Sequence, residues 1–538
     1  MLTLIEGGHV VDPAHGRDGV GDVWIRDGRV IDAPGSGETP DAHHDARGCI
    51  VMAGAIDIHS HIAGANVNTA RLLLADQRPA HADMVPIADE IGRLYAAMGY
   101  SLVVEPAIAP HTALQAQLEI AAIPFIDTAT LTVIGNEPYL LDLLRAGEGP
   151  DALADYIGRV LAASRGLGVK VINPGGAAAF RANARRFGLD DEVPGTGITS
   201  RAITQAVQQA VTYLGVPHPT HLHTNNLGLP GNVETAVATI EAAEGRPLHL
   251  AHLQFYAYGA EGPRGFSSAA PRLADLLARH PNVTADVGQV MFGQTVTVSS
   301  DVLRQFGARG QASPRKWVIN DGEGNGGGIV PYRYRRSNFF NAIQWAAGLE
   351  LFLLSPDPSR MFFTTDHPNG APFTAYPDLF ALLMSRDLRH AWMETLPKEA
   401  IGMTTLPSLT REYTWTEIAT MTRAAPARLL GIADRGHLGA GARGDVAVYR
   451  MQADIAAMLR NAAMTFRGGV LALRDGVPVE GAPAAGRAVS LAPGYDAAIE
   501  ARLARFYETT YGCAHTAFDV PADLLGRALP AEIVPCRA

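Results

Sequence analysis

The chain has 538 residues, 47% hydrophobic and 18% charged, enough for a large globular core with an accessory domain. Its net charge of −10 argues against nucleic acid or an anionic membrane surface as a partner. Three separated cysteines, Cys49, Cys513 and Cys536, exclude a four-cysteine cluster within the chain and give no disulfide framework, which fits a reducing cytoplasm.

Residues 1–52 alternate apolar and polar positions in short runs, with Asp18-Gly19 and Asp27-Gly28 as predicted tight turns. The N-terminus shows no basic region followed by an apolar one, so no secretory signal is expected. No 18-residue apolar run predicts a membrane span. From 53 to 434, apolar strands alternate with helical patterns. AGAIDIHSH, YSLVVEPA, LGVKVINPG, PTHLHTN, PLHLAHLQ, VTADVGQ and RMFFTTDH read as strands, and ITQAVQQAVTYLG and NVETAVATIEAAEG as helices. That alternation predicts an α/β fold, a parallel (β/α)8 TIM-like barrel. The Gly-rich stretch 321–338 reads as a loop with a basic end. Over 435–538 the β texture returns, with a turn at Asp475-Gly476, then the helical AAIEARLARFYETTYG and a tail. The two β-rich ends are expected to form one composite domain.

In AIDIHSHIAG, His59 and His61 lie two apart at the end of an apolar strand, a spacing that turns both imidazoles to one face. Two such rings can converge on one ion; the competing reading is a loop pair bonded to nearby backbone. THLHTNN and LHLAHLQF supply two further pairs. His223 and His252 lie nearer the strand C-terminal ends, where barrel chemistry sits. His221 shares the parity of His223 and is a candidate neighbouring or substrate contact; His249 should face away from His252 and reads as structural. Of the 44 basic residues only Lys170, Lys316 and Lys398 are lysines. Lys170 lies within an apolar run, where an ammonium is costly unless paired or neutral. A neutral amine there can react with CO2 to give an anionic carbamate ligand; the alternative is a pair with a buried carboxylate. Asp366 ends an apolar strand, where it can bind metal and accept a proton, or cap the turn at HPNG. Asn225, Asn226, Asn320 and Arg333 are candidate substrate contacts. Arg335 and Arg336 share the basic end of their loop with Arg333, where the cluster could attract an acidic ligand but reads rather as a solvated surface or a subunit interface.

The order HxH, strand Lys, two separated His, strand Asp resembles the ligand order of the amidohydrolase superfamily. VVDP…GDVWIRDGRVI, LGAGARGDVAVY and MTRAAPARLLGI resemble its small β domain and final barrel helix. GYSLVVEPA, HLHTNNLGLPGN, LAHLQFYAYG, TADVGQVMFGQT and TTDHPNGAPFTAYP are similar to the A-subunit family of formylmethanofuran dehydrogenase, which includes the A-subunit of the bacterial formyltransferase/hydrolase complex. The resemblance implies two divalent metals, zinc by expectation. His59, His61 and Asp366 would hold one, His223 and His252 the other, with carboxylated Lys170 between them. It implies hydrolysis of an N-formyl aminomethylfuran carrier to formate and free carrier, with formyltransferase and other subunits as partners. A cyclic-amide hydrolase of the dihydroorotase or hydantoinase type, or a non-catalytic scaffold, are the alternatives. The metal ligands alone do not separate the two hydrolase readings.

Overall fold

The computed structural model describes residues 1–35, 37–321, 326–525 and 531–536. Eight parallel strands line the centre: Ala55–Asp57, Tyr100–Ile108, Asp127–Val133, Gly168–Ile172, Thr220–His223, Leu248–Leu250, Val283–Asp286 and Met361–Phe362. Neighbouring strands pair in sequence order. The ring closes just beyond the last strand, where Ser60 bridges His367 and the His61 amide donates to the His367 carbonyl at 2.8 Å. Strand C-terminal ends and the loops after them therefore share one rim, as barrel chemistry requires. The predicted helices span Ser200–Tyr213 and Val233–Ala242, the first capped by the Thr199 side chain on the Ala202 amide.

Third barrel strand Asp127–Val133, DTATLTV, did not stand out in the sequence, because its threonines blur the apolar run of a two-sided buried strand. It also splays from the fourth. Leu131–Val133 pair with Gly168–Lys170, whereas Thr128 and Ala129 pair with Ala488 and Val489 of a C-terminal strand, Ala488–Leu491. Ala531–Val534 then pairs with that strand in parallel. The C-terminal tail thus extends the barrel sheet.

The two chain ends meet in a separate sheet. Its N-terminal part includes Leu2–Asp12, Arg17–Arg26 and Cys49–Ala53, and Val446–Arg450 joins it in antiparallel register, Val446 facing Ala53 and Arg450 facing Cys49. Ile25, Val446, Val448 and Phe466 are among its core residues. Turns form at Asp27-Gly28 and Asp475-Gly476, with φ of 49° and 83°, and 48° and 77°. Asp18-Gly19 is no turn: both lie inside the strand Arg17–Arg26, and the chain reverses at Pro13–His15 and Gly16 instead, where proline starts the bend. The Gly-rich stretch is also not all loop. Gly327–Tyr334 is a strand flanked by Gly293–Ser299 and Val318–Asn320; residues 322–325 lie outside the described residues. Among the described residues, no helix is long and apolar enough to cross a membrane.

Asp127, fully buried at the base of the third strand, fastens the two domains. It faces Arg435 at 2.7 Å, Arg467 at 2.5 Å and Arg443 at 3.3 Å, and accepts the Arg487 amide at 2.9 Å. Burial alone would raise this carboxyl, but the three guanidiniums outweigh it and hold it below the ordinary carboxylate range. Asp127→Ala leaves buried arginines short of a counter-charge and should cost about 3–5 kcal/mol, read as a lower denaturation midpoint. Because the folded value lies below the unfolded one, about 3.9, this contribution is complete above that pH and is lost as pH falls through the folded value. Asp127→Asn should therefore flatten the acid limb of the stability profile.

Candidate metal centre

Metal-type donors converge at the C-terminal rim from five strands. After the first strand, the His59 amide is held by Asp57 Oδ1 at 3.0 Å, and Asp57 Oδ2 accepts the Tyr95 and Tyr376 hydroxyls at 2.7 and 2.5 Å. That anchored turn sends His59 Nε2 to 3.1 Å and His61 Nε2 to 3.4 Å from Asp366 Oδ1. His223 ends the fifth strand, and its Nδ1 lies 3.1 Å from His252 Nε2. Lys170 is the register partner of His221, one layer deeper than His223, and its long stem carries Nζ into the cavity that His223, His252 and Asp366 also line. His252 and Asp366 adopt left-handed backbone, with φ of 35° and 51°. Glycine at 288 makes room for them: a Cβ there would lie 2.4 Å from that of His252.

Three of the rings are oriented from behind by a carboxylate. Asp286 Oδ2 accepts His59 Nδ1 at 2.9 Å and His249 Nε2 at 3.1 Å, while its Oδ1 accepts the His252 amide at 2.6 Å. Glu105 Oε1 faces His61 Nδ1 at 3.0 Å, and its Oε2 accepts the Ile62 and Ala63 amides. Asp301 Oδ2 faces His223 Nε2 at 3.1 Å. With these nitrogens donating outward, the opposite nitrogens carry lone pairs toward the centre. Glu105, Asp286 and Asp301 were not singled out in the sequence. Two carried a signal: a carboxylate in the apolar strands YSLVVEPA and VTADVGQ is tolerable only if paired.

The donor set fits a cation. Lys170 Nζ is buried with no hydrogen-bond partner among the described residues, and His59 Nε2 is buried against the Asp366 carboxylate. Burial opposes charge on His61, yet Glu105 and Asp366 raise it to about 9; the site draws positive charge inward. Burial pushes the Lys170 ammonium down to about 8 against the opposing pull of Asp286 and Asp366. Donor atoms of His59, His252 and Asp366 lie within 4.8 Å of one another.

Over these donors opens a cavity of about 480 Å3, walled by Phe255, Tyr332, Tyr334, Arg304, Arg335 and Gln344 among others. This is the size and mixed character of a small-molecule site. None of the five candidate substrate contacts is among the described residues lining it. His221 is fully buried beneath His59, its Nε2 3.0 Å from His59 Nδ1. Asn225 is bonded to Ser200 and Asn173. Asn226, at φ 64°, holds Thr235. Asn320 lines a smaller adjoining cavity of about 250 Å3 on the other side of His61. Arg333 is exposed on the Gly327–Tyr334 strand, opposite Gln294. The strand ends at Tyr334, and Arg335 beyond it faces the cavity instead. His249 does not face away from the site. The sixth strand ends at Leu250, so alternation no longer holds at His252, and both rings reach Asp286 or the donors above it.

A barrel carrying this donor set defines a metal-dependent hydrolase, and the chain belongs to the amidohydrolase family, whose sequence model matches residues 43–473. More particularly, it is 49% identical to the Fhc A-subunit of the formyltransferase/hydrolase complex of Methylorubrum extorquens, over 100% of both chains. It is 34% identical to Protein FwdA of Methanocaldococcus jannaschii, over 88% of each. The crystal structure of the M. extorquens complex FhcABCD with methylofuran contains a chain that superposes with a TM-score of 0.96 over the full length of both, at 49% identity.

Glu105→Gln places an amide donor against the amides of Ile62 and Ala63 or against His61, and so disturbs the ring it orients. We expect a 10–100-fold loss of metal affinity with the barrel still folded, measured by chelator competition.

Proposed function

We propose that this chain hydrolyses the N-formyl group of an aminomethylfuran-type one-carbon carrier, releasing formate and the free amine, as the A-subunit of a formyltransferase/hydrolase complex. Full-length similarity to the A-subunit of such a complex carries this reading. The complete donor set supports it against a scaffold role, since a scaffold has no need to keep six ligand-type groups converging on one cavity.

His59, His61 and Asp366 would hold one divalent metal and His223 and His252 a second, with zinc as the proposed ion. Such a pair would supply Lewis acidity, polarising the formyl carbonyl and acidifying water toward neutral pH. Lys170, which burial shifts toward the neutral amine, would add through Nζ to CO2 and lose a proton. The resulting carbamate would offer anionic oxygen ligands to the metals in place of an isolated ammonium.

The remaining work falls to side chains of this chain. Asp366 is held by Asn369, whose Nδ2 donates to Oδ1 at 2.9 Å. The contacts to His59, His61 and Asn369 all fall on Oδ1, which leaves Oδ2 to carry a proton. It accepts that proton from the attacking water and returns it to the amine nitrogen as the C–N bond breaks; the water oxygen ends in formate. The aromatic walls of the cavity suit the ring part of a carrier, and the guanidiniums of Arg304 and Arg335 suit oxygen-rich groups beyond it. A formyltransferase in the same assembly would reload the carrier, so net flow runs to formate.

In the metallated complex, formate release from a formylated carrier should stop on chelation and in Lys170→Ala. Asp366→Asn should retain metal yet lose about 10^2–10^4-fold in turnover, the span of one general acid–base group. An Asp366→Asn enzyme with full turnover contradicts the proton-transfer role, and a fully metallated complex that releases no formate contradicts the substrate.

A further inference from the structure

A file of buried side chains runs from the helix Ser200–Tyr213 to a metal-facing ring: Ser200, Asn225, Asn173, Asp301, His223. All five are buried. Ser200 Oγ lies 3.0 Å from Asn225 Oδ1, Asn225 Nδ2 lies 2.7 Å from Asn173 Oδ1, and Asn173 Nδ2 lies 2.9 Å from Asp301 Oδ1. The direction of every bond follows from one fact. An aspartate only accepts, so Asn173 must turn its amino group to Asp301 and its carbonyl to Asn225. Asn225 must then donate to Asn173 and receive the Ser200 hydroxyl.

Asp301 is also the N-cap of the helix Val302–Ala308, and its Oδ1 accepts the Arg304 amide at 3.0 Å. Two donors therefore occupy Oδ1, and only Oδ2 faces His223 Nε2, at 3.1 Å. We infer that this file is a tautomer-setting device: it forces His223 to carry its proton on Nε2 and to present the Nδ1 lone pair to the metal, making Asp301 a positioning residue for the second metal. The inference rests on the two-metal reading above. It also gives Asn225, and Asn173 with its left-handed φ of 39°, a role that needs no substrate contact.

Asparagine at 301 is the informative change, because it is isosteric yet inverts the chemistry. Its carbonyl must serve Asn173 and the Arg304 amide, so its amino group must point at His223 Nε2. His223 could then meet it only with Nε2 bare and Nδ1 protonated, which sets a hydrogen against the metal. Serine at 301 still caps the helix but imposes nothing on His223. The full chain in its native complex, stripped and titrated with cobalt(II), reads this by visible absorption and chelator competition. The wild type should take up two ions per chain. Asp301→Asn should bind the first ion normally and the second 10–100-fold more weakly, with far-ultraviolet circular dichroism unchanged. Asp301→Ser should fall between the two. A merely space-filling role predicts the reverse order, with the truncating serine worse than the isosteric asparagine. Wild-type affinity in Asp301→Asn, or serine weaker than asparagine, overturns the inference alone. Fewer than two ions in the wild type overturns the two-metal reading and this inference with it.

Discussion

Asp286 accepts the His59 ring, the His249 ring and the His252 backbone in a place fully closed to solvent, and the metal centre depends on that one carboxylate staying charged. Burial works against it, but the surrounding imidazoles and their hydrogen bonds win and hold it well below the ordinary carboxylate range. A charged Asp286 fixes which nitrogen of His59 carries a hydrogen, and so which one faces the cavity. Glu105 and Asp301 repeat the device for His61 and His223. The seam of first and eighth strands also closes here, since the Thr364 hydroxyl donates to the His59 carbonyl at 2.6 Å. Barrel closure and ligand orientation are thus one set of bonds.

Beneath this polar layer the barrel is held differently. Its third and fourth strands part at the base, and a strand from the C-terminal tail fills the gap. Asp127 sits at that opening among arginines of the second domain. The tail strand and these arginines sit at the barrel base, while the antiparallel strands Gly293–Ser299 and Gly327–Tyr334 contribute to the cavity wall at the other end. The cavity can vary with those loops without disturbing the ligands, which sit on strand ends.

Where one physical signal dominated, the fold was legible. Strand–helix alternation marked the barrel, and Asp-Gly pairs flanked by β runs marked two of three turns. Asp18-Gly19 failed because Pro13 had already turned the chain, leaving Gly19 free to sit in a strand. The spacing of His59 and His61, and the rarity of lysine around Lys170, pointed to groups that the folded chain brings to one cavity. What stayed hidden is what alternation does not carry: the carboxylates behind the rings, and the left-handed turn at His252 that undoes strand parity and lets His249 face inward. The arginine on the cavity side is Arg335 and not Arg333, because the strand that turns Arg333 outward ends between them. Asn225 sits beside a ligand histidine and faces inward, but toward Asn173 and not the cavity.

Anomalous diffraction from the metal-loaded complex tests the two-metal centre most directly, because it locates ions and the state of Lys170 together. Two peaks are expected, one among His59, His61 and Asp366 and one between His223 and His252, with density continuing from Lys170 Nζ to both. A single peak, or two peaks beside an unmodified Lys170 ammonium, would contradict that centre.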